Sequence, residues 1–390
     1  MVVPFSFSRL PVIHFGPGKI DNLASIAAGY GQSALLVTGS ASFIKSSQGE
    51  KVMNFLSEKG IRIRKVQVTG EPSPAVVDKA VTENRTSMPD VVIAIGGGSV
   101  MDAAKAISAM LPPGGNLRDY LEGVGTREHP GLKVPFIAVP TTAGTGSEAT
   151  KNAVISEVGS NGFKRSLRHE NFVPDVAIVD PLLTVTCSPE VTAASGMDCF
   201  TQLTEAFLST KANPMTDALA LKGIEAVVRS LPEAFRDGKN TDARTGMSFA
   251  ALLSGICLAN AGLGAVHGFS SAIGALFEVP HGIVCGTLMA KANEVNVRAL
   301  RRDRSAGRAL ARYSEMGKIV LGKEDRTEDY YIDGFIDYLF RLTDELRLPS
   351  LGRFGVSKTD IEKICMNTDI KNNPVKLTTE ELGEILESRI

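Results

Sequence analysis

The chain has 390 residues, 43% of them hydrophobic and 22% charged, and a formal net charge of −1. That length exceeds one typical domain, so two are expected. A charge this close to zero gives nothing to drive counterion release, so neither nucleic acid nor an anionic membrane is expected as a partner.

The first half alternates β-branched runs with amphipathic stretches. Ala34-Leu35-Leu36-Val37-Thr38 reads as a strand ending at Gly39, and the helical pattern around Val52-Met53-Asn54-Phe55-Leu56 stops at Gly60. Residues 61–68 read as a strand, 74–84 as a helix, 91–95 as a fully buried strand and 100–110 as a helix. Strands at 136–139 and 176–179 continue the rhythm, with loops at 112–115 and 125–130. Strands and helices of this length in alternation predict a parallel, doubly wound sheet, with ligands at the carboxyl ends of the strands.

After Asp180-Pro181 the texture changes to helices: 189–209, 215–231, 243–259 and 270–277, then charged ones between 302 and 346. A last helix at 378–388 has Thr378 or Thr379 placed to cap it. The expected division is an α/β unit at 1–184 and an all-helical unit at 185–390. The basic cluster Arg298-Ala299-Leu300-Arg301-Arg302 reads as a solvated helix face. Five cysteines, at 187, 199, 257, 285 and 365, form no CxxC pair. They are expected as reduced thiols, several of them core fillers, in a cytoplasmic protein. The N-terminus shows no basic stretch followed by a long apolar core, so no signal peptide is expected.

Three stretches carry chemistry. Gly96-Gly97-Gly98-Ser99 follows the buried strand and opens a helix holding Asp102 and Lys105. Glycines there let backbone N–H groups approach a diphosphate, which the helix N-terminus also attracts; the same turn would serve a tight strand–helix junction with no ligand. Residues 140–148, Pro-Thr-Thr-Ala-Gly-Thr-Gly-Ser-Glu, set hydroxyls and glycines after another strand, suited to phosphate and ribose oxygens or to a plain capped turn. The third stretch runs from Asp198 to His281. Asp198 and Gln202 share a helix face at i,i+4, and His267 lies in a run, 245–277, without a single Asp, Glu, Lys or Arg. That run is long enough to raise a transmembrane reading. Its Gly, Ser, Ala, Asn and His content suits closely packed helices of a soluble domain better. A carboxylate and two imidazoles buried together are costly unless something satisfies them, and a divalent metal is the simplest candidate.

Taken together these features resemble the iron-containing (group III) alcohol dehydrogenase family over nearly the whole chain. The resemblance rests on Phe15-Gly16-Pro17-Gly18, Gly96 to Ser99 with Asp102, residues 140–148 and 174–181, Gly196-Met197-Asp198, His267-Gly268, Pro280-His281-Gly282 and Asn373-Pro374. It implies a nucleotide-binding α/β domain and a helical domain of dehydroquinate-synthase-like architecture, with the active site in the cleft between them. Asp198, His267 and His281 match three metal ligands of the family, and Gln202 stands where the fourth, a histidine, is usual. Gln202 is either a weak fourth donor or a structural hydrogen-bonder. The metal implied is Fe2+ or Zn2+, acting as a Lewis acid in hydride transfer between a small alcohol or aldehyde and NAD or NADP. Gly39, Gly97, Gly98, Ser99, Asp102, Thr141, Thr142, Asn152, Lys164 and Leu182 fall at cofactor-contact positions. Gly39-Ser40 lacks the aspartate that would repel a 2′-phosphate, which favours NADP(H). Ser271 replaces a histidine found near the substrate in many members, so the proton is expected to leave through water or ribose hydroxyls. A homodimer or higher homo-oligomer is expected. The alternative, prompted by Gln202, is a metal-independent reductase similar to maleylacetate reductases.

Overall fold

The computed structural model describes residues 4–39, 43–303 and 307–390. The first half contains β1 (Val12–Phe15), α1 (Leu23–Ala28), β2 (Ser33–Thr38), α2 (Ser47–Glu58), β3 (Arg62–Gln67), α3 (Pro74–Asn84), β4 (Val91–Gly96), α4 (Gly98–Met110), β5 (Phe136–Pro140), β6 (Asn152–Glu157), β7 (Phe163–Arg168) and β8 (Val176–Val179). Six strands form one parallel sheet in the order β1-β8-β5-β4-β2-β3, while β6 and β7 pair antiparallel as a separate hairpin. Every residue of β4 and β5 is buried, as expected of strands covered on both faces. The period-2 alternation sends Leu35, Val37, Val92 and Ala94 into a core with α3 and α4. Ala34, Leu36, Ile93 and Ile95 point the other way, onto α1 and α2.

The chain runs outward from β2 to β3, then crosses back to lay β4 on the other side of β2. The switch point therefore lies between the carboxyl ends of β2 and β4, at Gly39 and the glycine turn. Ser40, the hydroxyl expected to help choose the cofactor, lies outside the described residues.

The second half holds α5 (Pro189–Leu208), α6 (Pro214–Arg236), α7 (Thr241–Ala261), α8 (Ala265–Leu276), α9 (His281–Arg302), α10 (Gly307–Leu321), α11 (Glu328–Glu345), α12 (Ile361–Met366) and α13 (Thr379–Glu387). Their starts follow from local chemistry. Ser188 and Asn213 cap the backbones of α5 and α6, each followed by a proline whose missing N–H costs nothing in the first turn. Thr378 and Glu381 form a capping box on α13.

Four expectations need correction. The helix expected to stop before Pro232 continues to Arg236, because Leu231 and Ala234 are both buried and their packing outweighs one lost hydrogen bond. α9 was not foreseen as a helix from His281; its β-branched, glycine-containing opening is held helical by packing against α5 and α8. β1 and the β6–β7 hairpin were also missed. The basic cluster on α9 does form a solvated helix face, and its exposed arginines pair at the surface: Arg298 with Glu384, Arg301 with Asp329 and Asp333, and Arg302 with Glu381.

The uncharged run splits into α7 and α8, bent by 94° at a break around Gly262, whose φ is +70. No single helix among the described residues is long and apolar enough to cross a membrane. The two halves meet backbone to backbone. A Cβ on Gly255 of α7 would lie 2.0 Å from the Gly146 carbonyl oxygen, so only glycine permits this approach.

Candidate active site

A cleft of about 730 Å³ opens between the sheet's carboxyl end and the helical half. Gly98, Ser99 and Asp102 of α4, Thr142, Gly144, Thr145 and Ser147 on the loop after β5, and Asn152 and Lys164 of the hairpin line one side. Asp198 and Gln202 of α5, His267 and Ser271 of α8, and His281 of α9 line the other.

Asp198 is 1% exposed and lies mid-helix, well past the Ser188 cap. Its Oδ1 is 3.4 Å from Nε2 of His267 and 3.4 Å from Nε2 of His281. Neither separation makes a hydrogen bond, and Oδ1 is left without a partner. Both rings are oriented from behind. His267 Nδ1 lies 2.6 Å from Glu205 Oε2, while Glu205 Oε1 accepts from the Val266 N–H at 2.7 Å. His281 Nδ1 lies 2.6 Å from the Ser270 hydroxyl. Each imidazole thus presents Nε2 to the same carboxylate, with its other nitrogen held, the arrangement common around metal-binding histidines. Gln202 donates through Nε2 to Asp198 Oδ2 at 3.4 Å, and its own Oε1 has no partner. Cys285, one turn along α9 from His281, places Sγ 3.7 Å from Nε2 of both histidines.

Burial opposes charge at every member of this cluster, yet attraction between the members prevails. The imidazoles of His281 and His267 hold Asp198 well below the usual carboxylate range and draw the Cys285 thiol down. Against burial, Cys285 and Asp198 lift His281 to about 9, and Cys285, Glu205 and Asp198 lift His267 well above the imidazole range. The pocket demands positive charge beside Asp198, which ring protons supply when no cation does. The orphaned, buried Asp198 Oδ1 and an acid–imidazole donor set fit a divalent metal.

On the opposite wall, Lys164 reaches Glu71 Oε2 at 3.2 Å, and the Ser99 hydroxyl donates to Glu71 Oε1 at 3.4 Å. Gly274 leaves room for the Lys164 chain to cross α8, since a Cβ there would meet its Cδ at 2.9 Å. Asp102 faces the cleft, but Ser147 Oγ at 2.6 Å and the Val154 N–H at 3.1 Å occupy its carboxylate. Lys105, 1% exposed, donates to Ser147 O, Ser147 Oγ, Thr150 Oγ1 and Asn152 O at 2.8 to 3.0 Å, tying α4 to both loops. Gly97 packs against Thr142, whereas Thr141 is held by its backbone to Gly96. Gly39 closes β2 and Leu182 is 42% exposed; neither lines the cleft. Ser271 faces the cleft and donates to the His267 carbonyl at 3.1 Å.

Glu71, Glu205, Ser270 and Cys285 escaped the sequence reading. Helical spacing would have found three: Glu205 is i+7 from Asp198, Ser270 i+3 from His267 and Cys285 i+4 from His281.

A strand-end glycine turn facing an acid–imidazole donor set defines a nucleotide-linked, metal-assisted enzyme of the α/β-plus-helical class. Residues 11–181 match the family described as iron-containing alcohol dehydrogenase, and residues 192–390 match the C-terminal domain of the same family. Alcohol dehydrogenase 4 of Saccharomyces cerevisiae (strain YJM789) is 31% identical over 386 residues, 96% of each chain. The NADPH-dependent butanol dehydrogenase of Clostridium saccharobutylicum is 30% identical, over 96% of this chain and 95% of its own. The crystal structure of a 1,3-propanediol oxidoreductase superposes with a TM-score of 0.89 at 28% identity, covering 100% of both chains. The chain belongs to the iron-containing alcohol dehydrogenase family. It is a metal-dependent alcohol dehydrogenase, an NAD(P)-linked oxidoreductase acting on CH–OH groups of small alcohols or on the matching aldehydes.

Proposed function

We propose that Asp198, His267 and His281 hold the catalytic metal and that the dinucleotide lies across the glycine turn toward them. The observation that carries this reading is the pair of Nε2 atoms, each 3.4 Å from an otherwise unpartnered Asp198 Oδ1. Bound there, a divalent ion supplies Lewis-acid polarisation of the substrate oxygen. The chain's own residues do the rest. Glu205 and Ser270 fix the two rings, so the donors are set before substrate arrives. Gly97 and Gly98 with Ser99 offer backbone N–H groups at the start of α4 to the diphosphate, while Thr142, Asn152 and Lys164 wall the nicotinamide side. Asp102 acts through the loop it holds, and Gly39, Thr141 and Leu182, outside the cleft lining itself, are assigned to the adenosine end beyond it. With Ser271 in place of an ionisable group, the alcohol proton leaves through water or the ribose hydroxyls.

NADP(H) is the favoured cofactor, since Gly39 puts no carboxylate at the end of β2 to repel a 2′-phosphate. The family name and the acid–imidazole set support Fe2+, with Zn2+ the other ion suited to these donors. Residues 1–184 serve as the nucleotide-binding unit and 185–390 as the metal and substrate unit. The open sheet edge at β1, where Val12 is 61% exposed, supports a homodimer or higher homo-oligomer. Five free thiols suit a reducing, cytoplasmic setting.

The test is oxidation of NADPH and of NADH with a series of short aldehydes, before and after removal of metal by a chelator. NADPH should be the better donor, and chelation should abolish turnover until Fe2+ or Zn2+ is restored. Full activity in demonstrably metal-free protein rejects the assignment.

A further inference from the structure

We propose that Cys285 is the fourth metal donor, its thiolate closing an Asp–His–His–Cys set in the place that Gln202 does not fill. This rests on the assignment of Asp198, His267 and His281 made above. The ligand atoms of these four residues all lie within 4.8 Å of one another. Four of their six separations match the edges of a tetrahedron. Metal–nitrogen and metal–oxygen bonds of about 2.0–2.1 Å and a metal–sulfur bond of about 2.3 Å imply N···O edges of about 3.4 Å and N···S edges of about 3.6 Å. The two N···O separations are 3.4 Å and the two N···S separations are 3.7 Å.

Gln202 stands differently. Its amide nitrogen approaches Asp198 Oδ2, the oxygen turned away from the pair of imidazoles. It braces the far side of the carboxylate, whereas Cys285 Sγ is equidistant from both rings. The fourth place is thereby filled from α9, one turn beyond His281, and not from α5, and the substrate oxygen would join as a fifth donor. On metal binding the thiol proton and any protons on the two Nε2 atoms leave to solvent, and bonds to the metal take their places. A thiolate donor shifts preference toward Zn2+, Co2+ and Cd2+ and away from Mg2+ and Mn2+.

The experiment loads metal-free full-length protein with Co2+ and records its absorption spectrum, alongside affinities from competition with a chromophoric chelator. The parent and Gln202→Ala should both show a near-ultraviolet thiolate-to-cobalt charge-transfer band and strong visible bands of four-coordinate cobalt. Cys285→Ser should lose the charge-transfer band and bind Co2+ and Cd2+ at least tenfold more weakly. Cys285→Ala, checked for native circular dichroism, guards against a folding defect peculiar to serine. If the parent binds one Co2+ without the band, or the band survives in both Cys285 variants, the inference is overturned and the three-donor site stands. If Asp198→Asn binds Co2+ as tightly as the parent, the underlying site assignment itself fails.

Discussion

Replacing Lys105 by methionine should loosen the cofactor side of the cleft without touching the metal side. The ammonium group is the common donor to Ser147 O, Ser147 Oγ, Thr150 Oγ1 and Asn152 O. Methionine keeps the length and removes the donor. Ser147 Oγ still donates to Asp102 and the Thr150 hydroxyl can turn to a carbonyl, so the main loss is at two buried carbonyls, about 1–3 kcal/mol each. Breaking the charge relation with Asp102 and Glu148 adds to this, since removing one member of a buried pair costs about 3–5 kcal/mol. Against these stands a gain. Burial depresses Lys105 from 10.5 to about 8, although Asp102 and Glu148 oppose the shift, so the parent carries roughly 3 kcal/mol of strain that methionine relieves. The net expectation is a loss of about 5 kcal/mol, or about 10–20 °C for a unit of 150–250 residues. Dinucleotide affinity should fall about tenfold as the Ser147 and Asn152 backbones relax. Thermal denaturation followed by circular dichroism and a fluorescence titration with NADPH measure both. A variant within 0.5 kcal/mol of the parent, binding NADPH equally well, refutes the view that this amine organises the loops.

Three further outcomes follow from the packing and charges. Burial, only partly opposed by Lys105, raises Glu148 to about 7, so its carboxyl holds a proton in the folded state that the unfolded chain releases above about 4.5. Its stabilising contribution is complete below that value and lost as pH rises through 7, about 3 kcal/mol in all. Glu148→Gln should remove this slope from urea midpoints measured between pH 4.5 and 8; profiles that stay parallel to the parent's would contradict it. Gly255→Ala drives a methyl into the Gly146 carbonyl, and separating the halves to fit it should cost about 1–3 kcal/mol, visible as a lower melting temperature. An unchanged melting point would mean the two backbones are not in contact in solution. Glu205→Gln exchanges the carboxylate behind His267 for a neutral amide, which should weaken metal binding about 10–100-fold with little change in dinucleotide affinity. Equal metal affinity would show that Glu205 serves packing alone.

How much of this was legible in the amino-acid order depended on how each feature is held in place. The strands β2, β4, β5 and β8 announce themselves because both faces are covered and every position but Ser33 and Thr38, at the ends of β2, is apolar. β1 does not, being a four-residue edge strand with an exposed Val12, nor does Phe163–Arg168, whose Arg165 and Arg168 face solvent. α9 opens with His-Gly-Ile-Val-Cys-Gly, a poor helical beginning that only its neighbours make helical. The acid and the two histidines stood out because almost nothing else near them is polar. Cys285 was hidden by the same surroundings, since a thiol among apolar residues reads as filler until both imidazoles are seen beside it. Lys105 could be named but not its role, because its partners lie 42 to 47 residues further along the chain.

The bent pair α7 and α8 has a consequence for how this protein ages in use. Once its neighbours lift away, residues 245–277 present an unbroken ribbon with no charge to keep one molecule apart from the next. Heated solutions should therefore turn cloudy instead of refolding on cooling. Shelf life is then governed by how seldom that ribbon is uncovered, and bound dinucleotide, by favouring the folded state, lengthens it.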